Sequence, residues 1–126
     1  MPHIIIEHSI NFSKSEANRL LLALNQAIVA IKKGNFNIDD CKARAIYCPN
    51  YVIADGKINS NNDFLHITIR ILSSRSKEIQ QKLAKNILKT TYDFLKTDSF
   101  DNNPTSISVI IEEMDRDIYQ KILYNI

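Results

Sequence analysis

Leu65, Ile67, Ile69 and Ile71 alternate with His66, Thr68 and Arg70. That is the period-two pattern of a strand with one apolar face, and it predicts a strand over 64–72. A second β-rich stretch, over 3–9, begins with His3-Ile4-Ile5-Ile6. Between them the period changes. Ala17, Leu20, Leu21, Leu24, Ile28 and Ile31 recur at three-and-four spacing and predict a helix over 14–33. Ser13 and Glu16 read as a capping box in front of it, and Gly34 as its stop. Ile79, Leu83, Ile87 and Phe94 form a similar stripe, predicting a second helix over about 77–96 with Ser76 as its cap. Residues 43–48 and 105–112 read as closing strands. Ala54-Asp55-Gly56-Lys57 has turn chemistry, Ser60-Asn61-Asn62-Asp63 is a polar link, and Asp98–Pro104 is a second loop. The tail from about Asp115 to Tyr124 reads as a short helix with Ile118, Ile122 and Leu123 on one side.

The two halves repeat each other. A displacement of 63 residues lays His3-Ile4-Ile5-Ile6 on His66-Ile67-Thr68-Ile69, Ser13-Lys14 on Ser76-Lys77, and Leu20 on Leu83. Each half, about 1–62 and 63–126, reads strand–helix–strand. The expected fold is therefore a single α+β domain over 1–126: a duplicated β-α-β unit, a four-stranded sheet with two helices on one face, and the short C-terminal helix. Each crossover should join parallel strands and be right-handed. The isoleucine-rich strands predict an apolar uncovered sheet face, hence a homo-oligomer formed through it. The alternative is a ferredoxin-like monomer whose uncovered face is polar.

Composition removes several function classes. The chain has 126 residues and 44% apolar residues, enough for one core, and a net charge of only +2. Acids and bases are interspersed, which argues against nucleic acid or an anionic membrane as partner. No apolar run approaches the ~20 residues of a membrane helix, and Met1–Ser9 lacks the features of a signal peptide. Cytoplasm is the expected location. Cys41 and Cys48 are then expected to be free thiols, and no His/Cys spacing points to a metal. Gly34 and Gly56 are the only glycines, which excludes a GxGxxG phosphate loop.

The candidate chemistry lies at the start. Met1-Pro2 runs straight into a strand. Removal of Met1 would leave a secondary amine, which is a base only when unprotonated. A free α-amino group titrates near pH ~8, and burial or nearby cations lower that value. A base poised near neutrality is efficient at moving protons to and from carbon. Pro2-His3-Ile4-Ile5-Ile6-Glu7 resembles the opening of the 5-carboxymethyl-2-hydroxymuconate isomerases of the tautomerase superfamily. Further segments resemble that family in the same order. They are Ala43-Arg44-Ala45-Ile46, Ala54-Asp55-Gly56-Lys57, Phe64-Leu65-His66-Ile67-Thr68-Ile69-Arg70-Ile71, Ser74-Arg75-Ser76 and Ile111-Glu112-Glu113-Met114-Asp115.

The resemblance implies the duplicated β-α-β fold, a trimer, and Pro2 as catalytic base. It implies a small-molecule substrate carrying several carboxylates, a dienol formed in bacterial breakdown of homoprotocatechuate. Arg44 and Arg75 match the family's active-site arginines and are expected to bind those carboxylates, a role that suits the planar guanidinium fork. The expected reaction is a proton shift within an unsaturated 2-hydroxy or 2-oxo acid, with no cofactor and no metal, because the conjugated carbonyl delocalises the charge. The alternatives are tautomerisation of another enol acid of the phenylpyruvate type, and a non-catalytic interaction protein on the same scaffold. Arg70 reads as surface or interface and Glu112-Glu113 as a solvated pair. His3 and His66, at equivalent positions of the repeat, read as structural, although His3 adjoins Pro2. His8 is a further candidate proton carrier. Tyr47, Tyr51 and Phe64 read either as a pocket wall or as core or subunit contacts.

Overall fold

The computed structural model describes residues 1–56, 61–97 and 103–125. Its elements are β1 (His3–His8), α1 (Lys14–Val29), β2 (Lys42–Tyr47), β3 (Asp63–Leu72), α2 (Lys77–Thr97) and β4 (Thr105–Met114), with 3-10 turns at Lys32–Gly34 and Ile38–Asp40. The sheet order is β2-β1-β3-β4. Within each half the strands are parallel, β1 with β2 and β3 with β4, while β1 and β3 join the halves antiparallel. The duplication is visible in the element starts: Lys14 and Lys77, and likewise Lys42 and Thr105, stand 63 residues apart. Of the expected polar links, Lys57, Ser60 and most of Asp98–Pro104 lie outside the described residues.

Local chemistry explains the helices. Ser13 Oγ accepts from the Glu16 amide at 3.1 Å, and the Glu16 carboxylate takes the Ser13 N–H at 2.7 Å, closing the capping box. Ser76 Oγ likewise accepts from Ile79 N–H at 3.2 Å. The first helix ends sooner than its periodicity predicts. Its last residue is Val29, and the left-handed residue after it is Asn35 (φ 55°), not Gly34. Asn tolerates that conformation, and Gly34 instead serves a close approach described below.

The alternation in the strands and the stripes of both helices meet in one core. Ile4, Ile6, Leu65, Ile67, Ile69 and Ile71 from the sheet, Leu20, Leu24 and Ile28 from α1, and Leu83 and Ile87 from α2 are buried together. Each such side chain contributes roughly 1.5–3 kcal/mol by leaving water. The same alternation corrects the expectation of an apolar uncovered face. It sends most of the isoleucines to the helix side. The other face carries Lys42, Arg44, His3, Glu7, His66, Thr68, Arg70 and Glu112, with Ile5, Ile46 and Ile110 between them. Arg70 and Glu112 pair across it at 3.4 Å, and Ile46 and Ile110 are about half exposed (50% and 47%). The face is mixed rather than apolar.

The expected C-terminal helix is absent. Beyond β4 the chain makes a turn at Arg116–Ile118 and continues without regular structure to Asn125. Ile118 and Ile122 are 79% and 92% exposed, so the apolar side that would have fixed a helix packs on nothing in this chain. A helix of about ten residues without tertiary packing is marginal in water. Cys41 and Cys48 are separate thiols.

Replacing Ile67 by Ala should cost about 2–5 kcal/mol of folding free energy. Ser13→Ala should cost only about 1 kcal/mol, by orphaning one helix amide. Urea unfolding of both variants checks the order.

Candidate active site

The start of β1, the start of β2 and the ends of β3 and β4 share one end of the sheet, since His3 pairs with both Lys42 and Arg70, and Leu72 with Met114. Pro2 is buried there, and its carbonyl accepts the Lys42 N–H at 3.0 Å. A strand hydrogen-bonded on both sides fixes a terminus that would otherwise fray. The terminal amine, carried by Met1 in this chain, is held below the ordinary α-amino range. Burial is the main cause, and the Arg75 guanidinium is next. Asp40 and Cys41 act in the opposite sense, and Lys121 adds to the lowering. Burial in turn raises the Cys41 thiol.

Arg75 is set rigidly. It follows a turn in which Ser74 adopts φ 110°, a region that side-chain-bearing residues avoid at a cost of order 1–3 kcal/mol. Arg116 braces this turn, donating to the Ser73 carbonyl at 2.6 Å and to Ser74 Oγ at 3.1 Å. Arg75 Nε donates to the Gly34 carbonyl at 3.0 Å, and its guanidinium lies 4.4 Å over the Phe36 ring. Burial and the nearby Arg116 lower its proton affinity, but a guanidinium remains charged at any physiological pH. Among the described residues, its bonds to backbone carbonyls engage Nε and Nη1. Gly34 makes this stack possible: a Cβ there would stand 2.3 Å from the Phe36 ring.

Arg44 stands on the uncovered face of the sheet, in register with Ile5. Its guanidinium turns back toward the chain start, with Nη1 3.3 Å from His3 Nδ1. Arginine can only donate, so Nδ1 is the acceptor and Nε2 carries the proton toward Tyr119 Oη, 3.3 Å away. Burial, then Arg44, push His3 below its usual range, which favours this neutral form. Arg75 thus acts on the terminal amine through its charge, while Arg44 bonds His3, two residues along, from the uncovered face.

Other candidates fall elsewhere. Tyr47 packs on His8, and Tyr51 on Phe64, all at the far end of β1. His8 is buried, donates its Nδ1–H to the Ile10 carbonyl at 2.7 Å, and is pushed below its usual range mainly by burial. His66 bonds Ser108 at 2.6 Å on the uncovered face. Glu113 accepts from Gln80. A groove of about 430 Å³ between the end of α1 and the start of α2, lined by Ile31, Lys32, Lys33, Ser76, Ile79 and Lys82 among others, does not include Pro2. Sequence reasoning missed Phe36, Asp40, Tyr119 and Lys121. No motif marks the first two, and reading the tail as a helix hid the others.

A four-stranded mixed sheet built from two β-α-β units is a tautomerase-like fold. A fused 4-OT wild-type symmetric trimer shares it, with a TM-score of 0.69 at 16% identity over 90% of this chain and 86% of that one. A 5-carboxymethyl-2-hydroxymuconate isomerase from Deinococcus radiodurans R1 superposes with a TM-score of 0.82 at 24% identity, covering 96% of this chain and 88% of that one. A 5-carboxymethyl-2-hydroxymuconate delta-isomerase gives 0.83 at 20% identity, over 99% and 89%. No curated protein matches the sequence. The family model of 5-carboxymethyl-2-hydroxymuconate isomerase matches residues 2–123. The chain belongs to that family and is an enzyme of the isomerase type.

Gly34→Ala should displace the Phe36 ring and loosen Arg75. The expected result is a fall of about tenfold in kcat/KM, the loss of roughly one charge-assisted contact. Turnover of a 2-hydroxymuconate-type dienol measures it, with a thermal melt to separate unfolding from the local effect.

Proposed function

We propose that the mature chain, after loss of Met1, uses the Pro2 amine as the base that moves a proton within an unsaturated 2-hydroxy or 2-oxo polycarboxylic acid. The substrate is of the 5-carboxymethyl-2-hydroxymuconate type, in the breakdown of homoprotocatechuate. The observation carrying this reading is the partly buried terminal amine, whose proton affinity burial and the Arg75 guanidinium both lower. Cleaving Met1 moves the amine one residue inward, onto Pro2, which is itself buried.

The neutral prolyl nitrogen takes the proton from the 2-hydroxyl. The oxygen–hydrogen electron pair forms the carbonyl, the conjugated double bonds shift, and a carbon further along takes the proton back from the ammonium. Arg75 binds the carboxylate next to the 2-oxygen and stabilises negative charge developing there. Arg44, reaching back over His3 from the uncovered face, binds a second carboxylate. The assembly is a trimer, like the fused 4-OT, formed through the mixed uncovered face with its half-exposed Ile46 and Ile110. One observation favours a simpler enol acid of the phenylpyruvate type: among the described residues, Arg75 is the guanidinium that acts on the terminal amine, and Arg44 is not among the groups acting on it. Comparing enols with one, two and three carboxylates separates the two readings.

Acetylating the terminal nitrogen should abolish turnover, and Pro2→Ala should retain part of it through a primary amine. Full activity of the acetylated protein would overturn the proposal. The acidic limb of kcat/KM should lie below pH ~8, the ordinary α-amino value, because the base works only when unprotonated. Arg75→Gln removes a cation that disfavours the ammonium, so it should move that limb to higher pH. A pH–rate profile of both proteins checks the sign.

A further inference from the structure

The segment after β4 has no regular structure, yet it is fastened at three points around the amino end of β1. Arg116 holds the Ser73–Ser74 turn in front of Arg75. Tyr119 meets His3, with its hydroxyl 3.3 Å from Nε2 and the rings edge-on at 6.4 Å. Lys121 Nζ lies 3.3 Å from Met1 Sδ and 3.5 Å from Asp40 Oδ1. Apolar packing does not place these residues, because Ile118 and Ile122 are almost fully exposed. Polar contacts bring the Lys121 ammonium to the site of the first residue.

The position of Lys121 is chemically specific. Among the described residues, Lys121 and Arg75 are the cations that lower the terminal amine's proton affinity. Asp40, the partner of Lys121, acts on the same amine with the opposite sign. Both side chains of the pair are about 40% exposed (40% and 39%), and an ion pair this open to water holds its partners weakly. A thioether is a poor acceptor, and Met1 is lost in the mature chain under the function proposed above. Lysine carries three donor hydrogens. One can stay on Asp40 while the others meet a carboxylate of a bound ligand.

We infer that Lys121 is a specificity-determining residue, binding the substrate carboxylate remote from the 2-oxygen and so selecting polycarboxylated over monocarboxylated dienes. This rests on the reading of Pro2 as the base and adds to it a third cation, for a substrate with two muconate carboxylates and one on its carboxymethyl arm. Arg75 takes the carboxylate at the reacting end, Arg44 that of the arm, and Lys121 the far end.

The test reads binding, so it does not depend on turnover. Muconate and sorbate share one conjugated chain and differ in having two carboxylates and one; neither has the hydroxyl that reacts. Isothermal titration of the mature protein should show a clear preference for muconate. Lys121→Met should reduce the muconate-to-sorbate preference about tenfold, the value of one charge-assisted hydrogen bond. Lys121→Arg should restore most of it. In Lys121→Met the Asp40 carboxylate is left uncovered and repels anions generally, so the double variant Lys121→Met/Asp40→Asn is the control. If the double variant recovers the wild-type preference, Lys121 is only the counter-ion of Asp40 and the inference is overturned. An unchanged preference in Lys121→Met overturns it as well. Failure of the Pro2 reading shows separately, as full turnover by acetylated wild-type protein.

Discussion

An amine at the end of a chain stays uncharged near neutrality only when water is kept from it and positive charge stands close. Burial and the Arg75 and Lys121 charges at one end of this sheet act in that direction, against Asp40 and Cys41. β1 is hydrogen-bonded on both sides, so its first residues cannot fray. Pro2 is buried beneath them. Arg75 is brought up from the opposite half of the duplicated fold and locked by the Gly34 carbonyl, the Phe36 ring and the Arg116-braced turn at Ser74. The strained Ser74 backbone and the ring-to-glycine contact are local costs, offset by a well-packed core of eleven large apolar side chains and Ala27.

The duplication explains why one end of the sheet gathers the chain start, Arg75 and the tail. Antiparallel pairing of β1 with β3 puts the start of the first half beside the end of the first strand of the second half. A residue at the chain start and a residue just after β3 therefore meet without any long loop. The same geometry places β4 so that whatever follows it runs toward the amino end. The tail needs no secondary structure of its own to reach there. Polar contacts from Arg116, Tyr119 and Lys121 hold it there.

Much of this was legible in the residues. Period-two alternation in 64–72 and the stripes of the two helices located the core, because burial of one face leaves its mark at every second or every third and fourth position. The 63-residue displacement located both helix starts and both closing strands. Reading failed where burial depends on the third dimension. The strands' isoleucines read as dressing both sheet faces, whereas register assigns most of them to the helix side and leaves a mixed face. The tail's Ile118, Ile122 and Leu123 have helical spacing, but spacing alone cannot supply the surface that would hold a helix. Arg44 and Arg75 look alike in sequence. Only the fold separates an arginine on the uncovered face, bonded to His3, from one stacked on Phe36 beside the amine. Asp40 and Lys121 carry no motif at all, since their roles come from proximity across 81 residues of chain.

The account turns on the charge state of one nitrogen. Protein labelled with 15N-proline, confirmed by mass to lack the initiator methionine, allows the Pro2 nitrogen to be titrated directly by NMR. The account predicts a midpoint below ~8, the ordinary value for an α-amino group, despite the greater intrinsic basicity of proline. A midpoint at or above that value, or a mature chain in which Pro2 nitrogen is still an amide, would contradict it.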